Sequence, residues 1–241
     1  VIPPSSDSHA KHNLVLSSGI SVWDPGYSNA VPERATFESA QLSFSHQFKY
    51  EYYTNSNFFF TTGLRMHLLE SRFDWSNPIN DYKITLEDVV IERVTDALRG
   101  EVEEMRGDVE VPVDAKRVVR HTNRTTLFQL PFGLGTSRTV GPIDFSFELG
   151  SSINIVGNSQ GRTLDEGSIV ELEASGKDLF DSQWGIHGFA GLRMHYSFYD
   201  HWNVNLGVHY QKALSNWSVE ENTGMRPQIL TMEIGLGYRF D

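Results

Sequence analysis

An arginine and a histidine two residues apart occur twice in this chain, and the second histidine lies two residues before a serine. The word GLRMH occurs at residues 63–67 and again at 191–195, and Ser197 follows His195. A histidine and a serine can act as base and nucleophile when they share a reachable substrate site. The elements that hold them decide whether they do.

Eight segments alternate apolar and polar side chains over lengths suited to tilted membrane strands, which need about 9–11 residues each. They lie at residues 13–22, 38–50, 58–68, 125–135, 143–154, 184–196, 202–211 and 233–240. Alternation sends successive side chains to opposite faces of a strand. The same period of two also fits a soluble barrel or sandwich.

Two further observations favour a membrane barrel. Short connections at 51–57, 137–141 and 199–201 alternate with long ones near 24–37, 70–122, 156–182 and 212–227. Outer-membrane barrels have this asymmetry, with short turns in the periplasm and long loops outside the cell. The polar strand face is nearly free of lysine, unlike an ordinary water-facing surface. Aromatic residues near strand ends are then expected to form interfacial girdles: Trp23, Tyr50, Tyr52, Tyr53, Trp75, Trp184, Tyr196, Phe198, Trp202 and Tyr238.

Composition narrows the class of protein. The net charge of −11 argues against a nucleic-acid-binding surface, and the absence of cysteine excludes disulfides and thiolate metal sites. No apolar run is long enough for a transmembrane helix. Residues 1–12 are expected to be a Pro/Ser-rich linker, and residues 13–241 one barrel domain.

In a narrow barrel, inward charges are expected to neutralise one another, so that no open pore follows. The predicted interior charge network comprises Arg65, His67, Glu148, Arg193, His195, Glu233 and Arg239. His195 would lie near a periplasmic turn, remote from an outer-leaflet substrate, so neither a catalytic nor a cofactor-binding residue is assigned. His46 is expected on the outward face near the periplasmic interface.

Two other kinds of site are weaker still. A protease-type barrel needs Asp and His on its long loops, where His121 is the only histidine candidate. Glu101, Glu103, Glu104 and Asp108 could bind a divalent cation, but they lack the spacing of a dedicated calcium loop, so no metal site is assigned. A solvated acidic face explains them better.

The connection 70–122 far exceeds the usual length and is expected to be structured. Residues 82–92 are strand-like, 109–113 could pair with them, and 95–105 could form one or two helical turns, which Gly100 weakens. Either an acidic cap or a docking surface for another envelope protein or a ligand fits this composition.

The last strand resembles the C-terminal signal that barrel-assembly machinery recognises, with Glu233, Gly235, Tyr238 and Phe240 in the matching places. Asp241 departs from that pattern. Together with LFQLPFGLGTSRTVGPIDFSFELGSSINIV (127–156) and NVNLGVHYQKAL (203–214), this strand resembles the small porin-like barrels of Bacteroidota, relatives in architecture of OmpA-type barrels. Pro131 and the Gly141-Pro142 strand entry are the most telling features.

The resemblance implies an all-β fold: an eight-stranded antiparallel up-and-down transmembrane barrel with one long structured extracellular loop. It implies an outer-membrane location in a Gram-negative bacterium and contact with outer-membrane lipid, but it says little about activity. The connection lengths and the even strand number predict that both termini are periplasmic, and the residues considered above predict no enzyme activity. The expected function is protein interaction, anchoring or sensing through the loop, with an envelope protein as partner. Two alternatives stay open: the C-terminal barrel of an envelope-spanning, anti-sigma type regulator, and a small-solute porin.

Overall fold

The computed structural model describes residues 12–26, 37–54, 57–79, 83–95, 102–112, 115–165, 168–172, 185–199, 201–216 and 226–240. The chain divides into two compact units, of which unit 1 comprises residues 1–73 and 121–241 and unit 2 comprises residues 74–120. Trp184 and most of the predicted linker fall outside the described residues. β1 begins at His12, which was assigned to the linker.

Strands make up almost all of the described chain. Their bounds are β1 His12–Asp24, β2 Glu38–Ala40, β3 Ser43–Tyr53, β4 Phe58–Ile79, β5 Lys83–Thr95, β6 Val102–Pro112, β7 Ala115–Val140, β8 Ile143–Asp165, β9 Ser168–Leu172, β10 Ile186–Ser197, β11 Trp202–Ala213 and β12 Gln228–Phe240. No helix among the described residues is long and apolar enough to cross a membrane.

Eight of these strands close into an antiparallel ring in unit 1. Its order is β1-β3-β4-β7-β8-β10-β11-β12, and the pairing of β12 with β1 completes the circle. Neighbours in the ring also follow one another along the chain, apart from the inserted strands β2 and β9 and the β5–β6 pair. The predicted eight-stranded up-and-down barrel is therefore confirmed, and a closed ring leaves no unpaired strand edge in its wall.

The barrel is polar inside and apolar outside. Along β11, Asn203, Asn205, His209 and Gln211 are buried, whereas the alternate residues are exposed. The same alternation runs through β1, β3 and β10. Outward apolar side chains reach an exposed fraction of 63 % at Leu16 and Leu192, which no water-soluble barrel would present on every wall.

Two irregularities adjust the wall. Opposite Phe128 and Gln129 of β7, the register skips Ile155 of β8, a bulge that leaves Ile155 and Val156 both exposed. Between β7 and β8, only Gly141 and Pro142 form the turn, and Gly141 has a φ of 63°. That left-handed conformation suits a residue without a side chain.

In unit 2, β5 and β6 pair as an antiparallel hairpin with two bulges. The helical turns expected over 95–105 are wrong where the structure describes them, because Val102–Met105 belong to β6. Further along β6, Val109 and Val111 alternate with Asp108 and Glu110, a pattern that favours a strand once a pairing partner is present. Residues 96–101 lie outside the described part.

The long connections also begin later than the sequence patterns predicted. β4 continues to Ile79 and β7 already begins at Ala115, so the 70–122 segment contains strand at both of its ends. β8 continues to Asp165 and pairs there with β9. In the extension of β4 the alternation inverts, because Leu69 and Phe73 are buried while Arg72 faces outward, so the segment no longer matched the pattern of a lipid-facing strand.

Candidate functional site

Four charged side chains meet in the barrel interior. Lys49 of β3 donates to both carboxylate oxygens of Glu148 of β8, at 2.7 and 3.0 Å. Arg193 of β10 binds the second Glu148 oxygen at 3.0 Å and also pairs with Glu51 of β3. All four are at most 5 % exposed. Two cations and two anions thus form a neutral ion quartet.

Neutral side chains supply the remaining hydrogen bonds to this ion quartet. The second oxygen of Glu51 accepts from Asn13 Nδ2 at 2.8 Å and from the Tyr53 hydroxyl at 3.0 Å. Every carboxylate oxygen of Glu51 and Glu148 therefore has a donor. Charges so far from water are tolerated only when they are paired and hydrogen-bonded, as here.

Glycines make room for the ion quartet. A Cβ on Gly191 would lie 2.9 Å from Glu148 Oε1, and a Cβ on Gly207 would lie 2.8 Å from Arg193 Cγ. Both distances are shorter than ordinary contacts. The alternation of Gly with charged residues on the inward face is therefore a packing requirement of the interior.

Arg65 forms a second centre without a hydrogen-bonded carboxylate. Its guanidinium donates to Gln47 at 2.8 Å and to Gln211 at 3.3 Å, and it contacts the His209 ring at 2.9 Å. Its Cζ also lies 5.6 Å from the centre of the Phe189 ring. Amide dipoles and a ring face thus stabilise this charge.

Beyond Arg65, the interior is lined by neutral histidine and amide contacts. His67 Nδ1 lies 2.9 Å from Ser45 Oγ. Gln129 links this layer, because it donates to Asn154 and contacts His187 Nδ1, both at 2.9 Å, and accepts from Gln211. The contacts of Gln129 join four strands of the ring, which are β7, β8, β10 and β11.

An apolar cluster lies at the end of the barrel where β1 ends, opposite the short turns. It consists of Trp23, Leu69, Leu127, Ala213 and Ile229, all buried. Trp23 was expected in an interfacial girdle, and that is wrong: its indole donates inside unit 1 to the Glu70 carbonyl at 2.7 Å. Tyr53 likewise lies against Glu51 and Phe59. Both residues have the parity of the inward face, which outweighs their aromatic character.

The possible nucleophile pair does not form. His195 is buried and its Nε2 lies 3.0 Å from Ser146 Oγ. Ser197 instead accepts from Arg239, which also pairs with Asp144 at 2.7 Å. A base and a hydroxyl with separate partners lack the shared geometry that nucleophilic catalysis requires.

The structure brings together only part of the predicted charge network. Arg193 and Glu148 meet directly, while Arg65, His67, His195 and Arg239 have the separate partners given above. Glu233 accepts from Ser17 at 3.1 Å. Lys49 and Glu51, two members of the ion quartet, are absent from the prediction. Their inward parity in β3 could have identified them.

Of the four acidic residues considered for a cation, Glu104 and Asp108 form contacts within the hairpin, and the side chain of Glu103 is not described. Glu104 pairs with Arg93 and Arg106, and Arg106 also pairs with Asp88 at 3.1 Å. Asp108 accepts from the Asp88 backbone NH at 3.2 Å, where Asp88 has a φ of 56° in the bulge. Glu101 lies outside the described residues, and no group of metal-ligating side chains occurs in the described part.

The hairpin has two different faces. On one, Lys83 pairs with Glu110 at 3.0 Å, in line with the ion pairs of Arg106 and Glu104. On the other, Ile84 lies opposite Val111 and Leu86 opposite Val109. Ile91 covers Gly107 on that same face, since a Cβ there would lie 2.7 Å from Ile91 Cδ1.

No family model matches this sequence, and no curated protein matches it. Among solved structures, the chain is similar to the outer membrane protein OprG from Pseudomonas aeruginosa, with 15 % identity, a TM-score of 0.43 and coverage of 97 % of this chain and 98 % of that one. It is also similar to Neisserial surface protein A, with 9 % identity, a TM-score of 0.41 and coverage of 94 % and 97 %. Ail of Yersinia pestis matches with 11 % identity, a TM-score of 0.37 and coverage of 95 % and 99 %. Likenesses at this level assign no activity.

Proposed function

We propose that this chain is a non-catalytic integral outer-membrane protein that binds a protein partner through the β5–β6 hairpin. The observation that carries the membrane location is the reversed polarity of the barrel, with charged and amide groups buried and large apolar side chains exposed on the strands of the ring. Lipid is the solvent that suits such an exterior, because each of the eight described ring strands pairs with a neighbour on both sides and leaves no open edge.

Outward aromatic residues support this location. Trp202 packs edge-on against Tyr238 at 5.0 Å, and Tyr52, Tyr196 and Phe198 are exposed at the same end of their strands. Aromatic rings of this kind favour the boundary between lipid and water. This end carries the short turns, which in outer-membrane barrels face the periplasm. The hairpin would then lie outside the cell.

The hairpin supports the binding role. Its ion-paired face is suited to water, whereas the opposite face leaves Ile84, Leu86 and Ile91 more than two fifths exposed. A two-stranded hairpin is only marginally stable by itself. A partner that covers the apolar face would stabilise the hairpin and gain binding free energy from the apolar area removed from water.

Two variants test which face binds. Ile84→Thr with Leu86→Thr makes the apolar face polar but keeps strand propensity, while Lys83→Thr with Glu110→Thr changes the ion-paired face as a matched control. Each variant and the unchanged chain are purified from native outer membrane with the proteins bound to them. We expect the first variant to lose a partner that the control retains. Equal retention by both would contradict a binding role for the apolar face.

The interior contacts disfavour the porin alternative. Lys49 with Glu148, Arg193 with Glu51 and Arg65 with Gln211 each join strands well separated around the ring. An eight-stranded barrel is only wide enough for such side chains to fill it. We therefore expect no conductance in planar lipid bilayers for the unchanged chain, whereas steady ion conductance would support a pore.

A further inference from the structure

The outward face carries one polar pair in the middle of its apolar surface. Ser18 Oγ lies 2.9 Å from His46 Nδ1, and both side chains are exposed. Ser18 is the central residue of β1, and its partner Ile234 is the central residue of β12. His46, the fourth residue of β3, therefore lies level with the centres of β1 and β12 and away from the Tyr53 end of β3, whereas the sequence pattern had predicted a place near the periplasmic interface.

The surroundings of this pair are apolar. The strand register places one row of outward residues across β12, β1, β3 and β4, and this row consists of Ile234, Ser18, His46 and Met66. The next rows on either side contain Ile20 with Phe44, and Leu16 with Phe48. Among the described residues of β12, β1 and β3, and of β4 as far as Leu68, His46 is the only outward Asp, Glu, His, Lys or Arg apart from the two end residues of β1.

We propose that Ser18 and His46 form the centre of a lateral interface between two copies of this chain. The inference rests on the membrane location proposed above. In hydrocarbon, a histidine is costly unless its polar atoms have partners. Ser18 satisfies Nδ1, and no hydrogen bond to Nε2 occurs within the described part of the chain.

A second copy supplies a partner at the required depth. Copies inserted in the same orientation are related by a two-fold axis along the membrane normal, so a residue of one copy meets the same surface of the other at equal depth. Two His46–Ser18 pairs can then bond to each other. Ser18 is also the smallest outward residue of its row, which permits close approach of the two walls.

Cysteine crosslinking tests the interface directly, because the natural chain has no cysteine. Ser18→Cys is expressed in outer membranes and treated with a mild oxidant. Ser151→Cys is the matched control, since Ser151 is an outward serine between the exposed Leu149 and Ile153 on β8, which lies four places from β1 around the ring. We expect a crosslinked dimer for Ser18→Cys alone. Adding His46→Leu should lower its yield at least about fivefold, the effect of losing one hydrogen bond.

Outer-membrane fractionation and heat-modifiable gel migration are measured on the same samples. If these measurements show that the chain is not an inserted barrel, the proposed function is wrong, and the interface that rests on it is wrong as well. An inserted barrel that stays monomeric, dimerises equally at both positions, or crosslinks to a different protein would overturn the two-copy interface.

A second measurement leaves Ser18 free of cysteine. The chain is labelled through Tyr199→Cys, and bleaching steps are counted for single particles in lipid vesicles. Two steps should dominate for this chain and for Ser151→Trp, whereas Ser18→Trp should give single steps because the bulky ring separates the walls. Single steps without the tryptophan would reject the dimer.

Discussion

Lys49 Nζ lies 2.7 Å from Glu148 Oε1 across the barrel, although the two residues are 99 positions apart in sequence and belong to strands that do not pair. Their contact joins β3 to β8 through the interior and not through the wall. Arg193 binds the same carboxylate, so Glu148 holds two cations together.

Glu148→Gln should therefore destabilise the barrel strongly. It leaves the buried Lys49 ammonium without its hydrogen-bonded anion, a loss of about 3–5 kcal/mol for a broken buried pair. Urea unfolding in detergent, followed by heat-modifiable migration, measures the free energy. Glu233→Gln is the control, because Glu233 accepts only from Ser17 among the hydrogen bonds described above. Equal losses for the two variants would show that the ion quartet has no special role.

Adding Lys49→Met to Glu148→Gln should recover most of that loss. The double variant removes the stranded cation and leaves Arg193 with Glu51 as a neutral pair. A double-mutant cycle on the same unfolding assay gives the coupling energy. No recovery would mean that the loss came from packing and not from charge.

Gly135→Ala should lower stability, whereas Gly188→Ala should not. A Cβ on Gly135 would lie 2.2 Å from Phe59 Cζ and 2.6 Å from the Phe147 carbonyl oxygen, but the nearest atom to one on Gly188 is Leu214 Cδ1 at 3.6 Å. Overpacking of this kind costs about 1–3 kcal/mol. The difference is read from thermal unfolding in one detergent. Equal tolerance of both alanines would argue that Phe59 does not occupy the space beside Gly135.

Sequence parity predicted which face of each barrel strand lies inside, and it did so for residues as different as Gln129 and Arg193. It could not predict which inward residues touch, because partners across a barrel depend on the stagger between strands that are distant in sequence. Parity places both Lys49 and Glu148 inside, but it did not show that the two side chains form an ion pair. The bulge places Ile155 and Val156 side by side, and beyond Leu68 the alternation of β4 inverts, so at both places the pattern used to predict the strands broke off.

Phe240→Ala is expected to reduce assembly in cells more than stability in vitro. Phe240 stacks on His12 with ring centres 5.2 Å apart, a modest contact, whereas its place in β12 resembles that of the terminal aromatic residue in the assembly signal. Quantities inserted in cells are compared with refolding yields in detergent. His12→Ala removes the same ring contact but leaves the signal intact, and it should insert normally. If both variants insert poorly, the ring contact and not the signal is what matters.

The proposed topology places Tyr199 and Lys116 on opposite sides of the outer membrane. Both are exposed, Tyr199 beside a short turn and Lys116 at the start of β7. With no native cysteine to interfere, Lys116→Cys should react with an impermeant maleimide on whole cells, and Tyr199→Cys only after lysis. Labelling of Tyr199→Cys on whole cells, and of Lys116→Cys only after lysis, would mean that the barrel has the opposite orientation in the membrane.

The accessibility of a spin label at Leu206 tests the membrane barrel most directly. Leu206 is outward, 50 % exposed and central in β11, so Leu206→Cys carrying a nitroxide should lie in hydrocarbon once the chain is refolded into lipid vesicles. Its relaxation should respond to oxygen, which concentrates in lipid, and hardly to a water-soluble nickel complex, while a label at Tyr199→Cys responds to nickel. A folded chain whose Leu206 label responds mainly to nickel would contradict the membrane-spanning account.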